Sequence, residues 1–265
     1  MSLALVSEKL QSTPPGQIEL RIARSQEELE HAFRLVHHSY VRAGLASPNA
    51  HGMRLTKFHL LPTTQVMLAK KAGSPIATAS LVLDREGGLP ADEIYRQEID
   101  QLRCRGLRLG EVGSLADCRE SVTRFIHMFR RLTTLIAQVG EAQGCNALIA
   151  TTHPKHARFY IRQLGFEQFG DPRECPHVQG KPAVALLLDF EKQQGTPVHE
   201  HLFGQKYAAA DLAPYHWEAE TRKYFSAVLE QIQQPAEPLR TLPSVNALPT
   251  ATSWAATLTS TPVRG

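Results

Sequence analysis

Cysteine is scarce in this chain, and its four copies, Cys104, Cys118, Cys145 and Cys175, form no Cys-x-x-Cys pair. That argues against a zinc knuckle and against a disulfide framework, and leaves reduced, structural thiols as the expectation. Long hydrophobic runs are missing too. The longest, Ala183 to Leu188, falls far short of the roughly 20 residues that a membrane-spanning helix needs, so no transmembrane segment is expected. MSLALVSEKLQSTPPG has no basic segment ahead of an apolar stretch and no small-residue cleavage signal after one, which argues against secretion and makes the cytoplasm the expected compartment. Charge of one sign is not in excess either: a net of +3 is too small to imply a nucleic-acid partner, and none is expected. Metal-ligand spacing is absent as well. His153 and His156 lack a third ligand at suitable spacing, and His199-Glu200-His201 is not the i, i+4 pair of a zinc protease, so no metal is expected.

What the chain does have, over 265 residues, is 42% hydrophobic content, enough for one well-buried core. Residues 1–16 read as a loose leader, and residues 235–265, rich in Pro, Thr, Ser and Ala, as a disordered tail. Between them, Ile18 to Ala23 suits a strand. Ser25 with Glu28 forms a capping box that opens a helix placing Leu29, Phe33, Val36 and Tyr40 on one face. Thr63 to Lys71 and Ile76 to Asp84 read as a hairpin turning at Ala72-Gly73-Ser74-Pro75. A polar helix over Ala91 to Arg103 and a strand over Leu107 to Cys118 follow. Val122, Phe125, Ile126, Phe129, Leu132, Ile136 and Val139 then recur at helical spacing up to Gly144. Ala147 to Thr152 is a buried strand, Pro154 and Gly165 bracket a short helix, and Phe166 to Phe169 and Ala183 to Phe190 supply the last strands. A further helix over about Tyr215 to Ile232 belongs to a helical appendage, residues 192–234. One charge cluster stands out: Arg103, Arg105, Arg108, Arg119, Arg124, Arg130 and Arg131, joined later by Lys155, Arg158 and Arg162.

This order of elements resembles the GCN5-related N-acetyltransferase (GNAT) fold, which implies an α/β (α+β) architecture for residues 17–191: a mixed central sheet with helices on both faces and a splayed fourth and fifth strand pair. HARFYIRQLGFEQFG, His156 to Gly170, is similar to the GNAT segment in which a tyrosine, here Tyr160, precedes the Gly-Phe of the next strand. GLPADEIYRQEIDQLRCRGLRLGEVGSLADC, CPHVQGKPAVALLLDF and RIARSQEELEHAFRLVHHSYVRAG together resemble the FeeM-type N-acyl amino acid synthases, relatives of the acyl-homoserine-lactone synthases. The likeness spans roughly Ile18 to Phe190. It implies an N-acyltransferase that takes a long-chain fatty acyl group from acyl carrier protein and passes it to the amine of an amino acid or similar small amine. One departure from ordinary acetyltransferases fits: ADCRESVTRF contains no glycine where those enzymes have a Gly-rich loop for the pyrophosphate of coenzyme A. Phosphopantetheine on a carrier protein needs no such loop. The implied donor is therefore acyl-phosphopantetheine, with acyl-coenzyme A as a second candidate and no tightly bound cofactor.

Glu111 is a carboxylate in an otherwise apolar or small strand, LRLGEVGSLA, and burying it without a partner is costly. It is either a general base for the attacking amine, a role the resemblance supports, or one half of an ion pair with Arg108 or Arg54. The resemblance also implies that Tyr160 protonates the leaving thiolate, against the alternative of simple core packing. It places the oxyanion at backbone N–H groups of Ser114 and Leu115. Ala116, Phe125, Phe129, His153 and Phe159 are the expected acyl and pantetheine contacts, although His153 suits a structural role equally. Arg119, Arg124, Arg130, Arg131 and Arg158 are candidate contacts for an acidic carrier protein, or a solvated helix face. The alternatives are an autoinducer synthase of the acyl-homoserine-lactone type and a GNAT-shaped binding protein that captures carrier protein or lipid without turnover. The first is weakened by Trp217 and Trp254, which fall near the C-terminus, and by EVGSLA on the fourth strand. Glu111 with Tyr160 separates an enzyme from the second.

Overall fold

The computed structural model describes residues 18–118 and 122–234, the side chains of 122–125 excepted. The expectations for residues 1–17, 119–121 and 235–265 lie outside the described residues. Seven strands form one sheet in the order β1-β2-β3-β4-β5-β7-β6: β1 Ile18–Ile22, β2 Thr64–Lys71, β3 Ser74–Leu83, β4 Leu109–Asp117, β5 Ala147–Thr152, β6 Glu167–Cys175 and β7 Lys181–Asp189. The pairings are antiparallel except β4 with β5, which run parallel. The helices are α1 Gln26–Arg42, α2 Asp92–Cys104, α3 Val122–Ala142, α4 Pro154–Leu164, α5 Pro197–Phe203, α6 Ala209–Leu212 and α7 Ala219–Gln233.

Strand alternation decides which layer each residue joins. In β5, Leu148 and Ala150 face a core built with Phe129, Leu132 and Ile136 of α3, whereas Ala147 and Ile149 face Tyr95, Ile99 and Leu102 of α2. On that second face, α1 and α7 cover Val66 and Leu68 of β2 with Phe33 and Phe225. Two buried glutamines staple the C-terminal segment to this body. Gln65 bonds the backbone of Tyr215 at both ends of its amide, and Gln138 does the same with Leu202 and Tyr207.

Local chemistry departs from the sequence expectation at three places. Ser25 caps α1 by accepting from the Glu28 N–H at 3.2 Å. Glu28 does not close the box, however; it accepts from the Arg24 N–H at 3.0 Å and pairs with Arg21 and with Lys70. Those cations outweigh burial, which alone would raise its pKa, and hold it at about 2. The β2–β3 turn is a tight one at Ala72 and Gly73, both at positive φ, so β3 resumes already at Ser74. β6 continues past Phe169 through Pro172 to Cys175. An edge strand tolerates a proline and a broken register because only β7 pairs with it. Gly170 in that strand lies against the Tyr95 ring, where an added Cβ would come within 2.6 Å.

β4 departs from a regular strand in two ways. Its ladder with β5 runs from Leu109↔Ala147 to Val112↔Ala150 and stops there, although β4 continues to Asp117 and β5 to Thr152. Its register with β3 jumps from Ser80↔Gly113 to Thr78↔Ala116, which leaves Ser114, at φ 50, and Leu115 as a bulge.

Candidate active site

Where β4 and β5 part, the structure has a cavity of about 400 Å³, within the roughly 300–1,000 Å³ usual for small-molecule sites. Of the residues singled out from sequence, Glu111, Ser114, Leu115, Ala116, Phe129, His153, Phe159 and Tyr160 all line it. β4 supplies the first four. α3 and α4 bring an aromatic wall, with Phe129 5.6 Å from Phe159 and 5.2 Å from Tyr160, ring centre to ring centre. His153 sits at the α4 cap and accepts from the Lys155 N–H at 3.2 Å, a structural duty it combines with facing the cavity.

Glu111 is 4% exposed. Its Oε2 accepts from the Ala91 N–H at 2.7 Å and its Oε1 from the Thr151 hydroxyl at 3.4 Å. Among the described residues no arginine or lysine comes within ion-pair distance; Arg108 instead donates to Gly144 O and Arg54 to His177 O. Burial pushes the Glu111 carboxyl up to about 8, the Ala91 and Thr151 bonds pull the other way, and the nearby charges of Asp92 and Glu93 add to the rise. The amide that holds Glu111 is itself held. Asp92 accepts from the Leu89 N–H at 2.8 Å, and Arg103 ties Asp92 to Asp84 and Asp100. Tyr160 is half-buried, and desolvation first, then Tyr40, raises its hydroxyl above the usual tyrosine range, with Thr152 opposing. It therefore stays protonated.

The family model for N-acyl amino acid synthase FeeM matches residues 31–189. The chain belongs to this family. Among solved structures, FeeM, an N-acyl amino acid synthase from uncultured soil microbes, is 25% identical, with a TM-score of 0.60 over 70% of this chain and 98% of its own. The acyl-homoserine-lactone synthase LasI is 16% identical, with a TM-score of 0.55 over 73% of this chain and 98% of its own, a likeness of fold. No curated protein matches the chain. The protein is thus an N-acyltransferase with a GNAT fold, and no helix among its described residues is long and apolar enough to cross a membrane.

Several residues of this synthase's cavity escaped sequence reasoning. His59, 4% exposed, sits with Ser80 and Ser114 around its Nε2, at 3.3 and 3.2 Å. Burial, then the Arg54 charge, push its imidazole down to about 3, so the ring is neutral. Arg54, weighed from sequence only as a partner for Glu111, lies 4.5 Å from the Tyr40 ring centre and has no carboxylate in ion-pair reach among the described residues. The usable signal was Thr56-x-x-His59, a capping-box spacing with histidine in place of glutamate, which closes here around the turn Lys57–Leu60. Lys57, Glu93 and His177 link up at the same rim, Glu93 meeting Lys57 at 2.9 Å and His177 at 3.2 Å.

Among the described residues, the arginines of the charge cluster are engaged at separate places. Arg103 is neutralised by its three aspartates. Arg131 is exposed but donates to Ile18 O at 3.1 Å, Arg130 is half-buried and Arg158 exposed, and none of these three lines the cavity. Arg119 and the side chains of Arg124 and Phe125 lie outside the described residues.

Proposed function

We propose that this synthase moves a long-chain fatty acyl group from the phosphopantetheine thioester of an acyl carrier protein to the α-amine of an amino acid. The reading is carried by Glu111: a carboxyl buried without a cation partner among the described residues, hydrogen-bonded to Ala91 and Thr151, facing a cleft between parted strands. Amino acids reach the site as ammonium ions, and a carboxylate with a pKa near 8 is matched to accept a proton from one. The freed amine attacks the thioester carbonyl held beside it, proximity supplying much of the rate. Charge on the tetrahedral oxygen meets the bulge at Ser114 and Leu115, which the β3 and β5 ladders leave without partner residues. Tyr160, protonated throughout the working range, returns a proton to the departing sulfur. The acyl chain lies along Phe129 and Phe159.

Arg54 supports an acceptor that carries a carboxylate as well as an amine. A guanidinium facing the cavity, with no carboxylate of its own among the described residues, offers a planar fork for one. The glycine-free ADCRESVTRF segment supports a carrier-protein donor over coenzyme A, and exposed Arg158 offers an acidic carrier a contact. The direct test is to incubate the protein with palmitoyl-loaded carrier protein, or palmitoyl-coenzyme A, and a pool of the protein amino acids, and to identify products by mass spectrometry. An N-acyl amino acid formed with higher kcat/KM from the carrier supports the reading; acylation of amines lacking a carboxylate at equal efficiency overturns the acceptor. Arg54→Leu is expected to raise KM for the amino acid about tenfold or more, with KM for the donor little changed.

A further inference from the structure

Sequence reasoning placed the oxyanion at backbone amides alone, yet Ser114 brings a side chain to the same spot. Its Oγ is 3.2 Å from His59 Nε2, and the direction of that bond follows from the other side of the ring. His59 Nδ1 receives the Thr56 backbone N–H at 3.0 Å. A peptide nitrogen only donates, so Nδ1 carries no proton, and in a neutral ring the proton sits on Nε2. Nε2–H therefore donates, shared between Ser114 Oγ and Ser80 Oγ at 3.2 and 3.3 Å. Thr56 Oγ1, also 3.0 Å from Nδ1, fits the same tautomer as a second donor.

The consequence falls on the serine. With its oxygen already accepting from His59, the Ser114 hydroxyl proton cannot point back at the ring. It needs an acceptor elsewhere, and the residue half-faces the cavity. The backbone reinforces the aim: Ser114 stands at φ 50, a conformation costly for any residue with a Cβ, on a bulge outside the regular β3 register. We infer that Ser114 donates its side-chain hydroxyl to the thioester carbonyl oxygen as negative charge develops there, and that His59 is the positioning residue that turns the hydroxyl toward it. Nothing covalent is involved. A histidine that donates to a serine is not its base, so Ser114 forms no acyl ester and the acyl group passes directly from sulfur to nitrogen.

This inference rests on the acyl-transfer reading above and deepens it. Ser114→Gly tests it, because glycine keeps the backbone amide, suits positive φ and removes the hydroxyl together with its one carbon. Its kcat is expected to fall about tenfold to a hundredfold with KM for the acyl donor within about twofold. His59→Leu should lower kcat similarly in the wild type and have no further effect in the Ser114→Gly background, while His59→Gln, which keeps a donor near Nε2, restores much of the rate. A Ser114→Gly enzyme that keeps its rate, a His59→Leu effect that persists in the Ser114→Gly background, or an acylated Ser114 peptide in mass spectra overturns the proposal. Where His59→Leu does not fold, Ser114→Gly and His59→Gln still decide. Independent of turnover, ¹⁵N NMR of the histidine-labelled full chain is expected to show the His59 proton on Nε2 at neutral pH, and a proton on Nδ1 overturns the proposal. A wild type without acyl transfer to any amine, paired with the Nε2–H tautomer, sinks the function reading and the inference built upon it.

Discussion

Glu28 and Glu111 are the same side chain, both largely withdrawn from solvent, at 13% and 4% exposure, yet they titrate on opposite sides of the ordinary carboxylate range. Glu28, at the start of α1, meets Arg21, Lys70 and the Arg24 N–H, and its carboxyl is held near 2. Glu111, in the middle of β4, meets one amide and one hydroxyl, and its carboxyl rises to about 8. Burial raises both; only the first is given cations to outweigh it. The framework matches its buried charge and gains stability from it. At the cleft no cation among the described residues pairs with Glu111 even though Arg54 faces the same cavity, and the cost of leaving that carboxyl unmatched raises its pKa.

The largest effect should come from removing the member of the pair that lines the cavity. Glu111→Gln is expected to lower kcat about tenfold or more with KM for the acyl donor little changed, and to abolish a rise of kcat/KM with pH centred near 8 in the wild type. Unchanged turnover takes Glu111 out of the mechanism. The framework member should respond in stability instead. Glu28→Gln leaves Arg21 and Lys70 without their partner and is expected to cost about 1.5–3 kcal/mol in urea unfolding.

The two substitutions should also diverge with pH, and here the signs are opposite. A carboxyl depressed from 4.5 to about 2 contributes stability that is full above about pH 4.5 and drains away as pH falls toward 2, so Glu28→Gln flattens that acid limb. A carboxyl raised from 4.5 to about 8 favours the folded state at low pH, and that contribution is lost as pH rises through 8. Glu111→Gln is therefore expected to be at least about 1 kcal/mol more stable than the wild type at alkaline pH, and a variant less stable there contradicts the comparison. The smallest effect sharpens it. Arg103→Ala frees Asp92 and loosens the loop whose Ala91 amide lowers the Glu111 pKa, so the rate limb should move to higher pH, with a rate loss of roughly two- to fivefold.

Much of this architecture was legible because it is local. The buried strand expected over Ala147 to Thr152 is β5 to the residue, and Pro154 with Gly165, at φ 72, bracketed α4. Glu111 could be picked out as a misplaced carboxylate because its neighbours on the strand are apolar or small. What stayed hidden depends on residues far apart in the chain. β6 runs on through Asp171 and Pro172 because β7 offers it a ladder and Tyr95, 76 residues from Asp171, donates to that residue's carbonyl. His59 meets Ser114, 55 positions away, only in the folded chain. Arg103 left the arginine cluster for the same reason: Asp84, eight residues before Asp92, reaches it only once α2 folds back.

The order of strands and helices, the family, and the choice of Glu111 and Tyr160, which the fold brings to one cavity, were legible in the sequence alone, since side-chain periodicity and short-range capping need no distant partner. The point, after Val112, at which β4 leaves β5, the tautomer of His59, the positive φ of Ser114 and the raised pKa of Glu111 were decided only in the tertiary structure. Each depends on which groups are brought near a buried atom and which are kept away, and linear spacing does not record that distance.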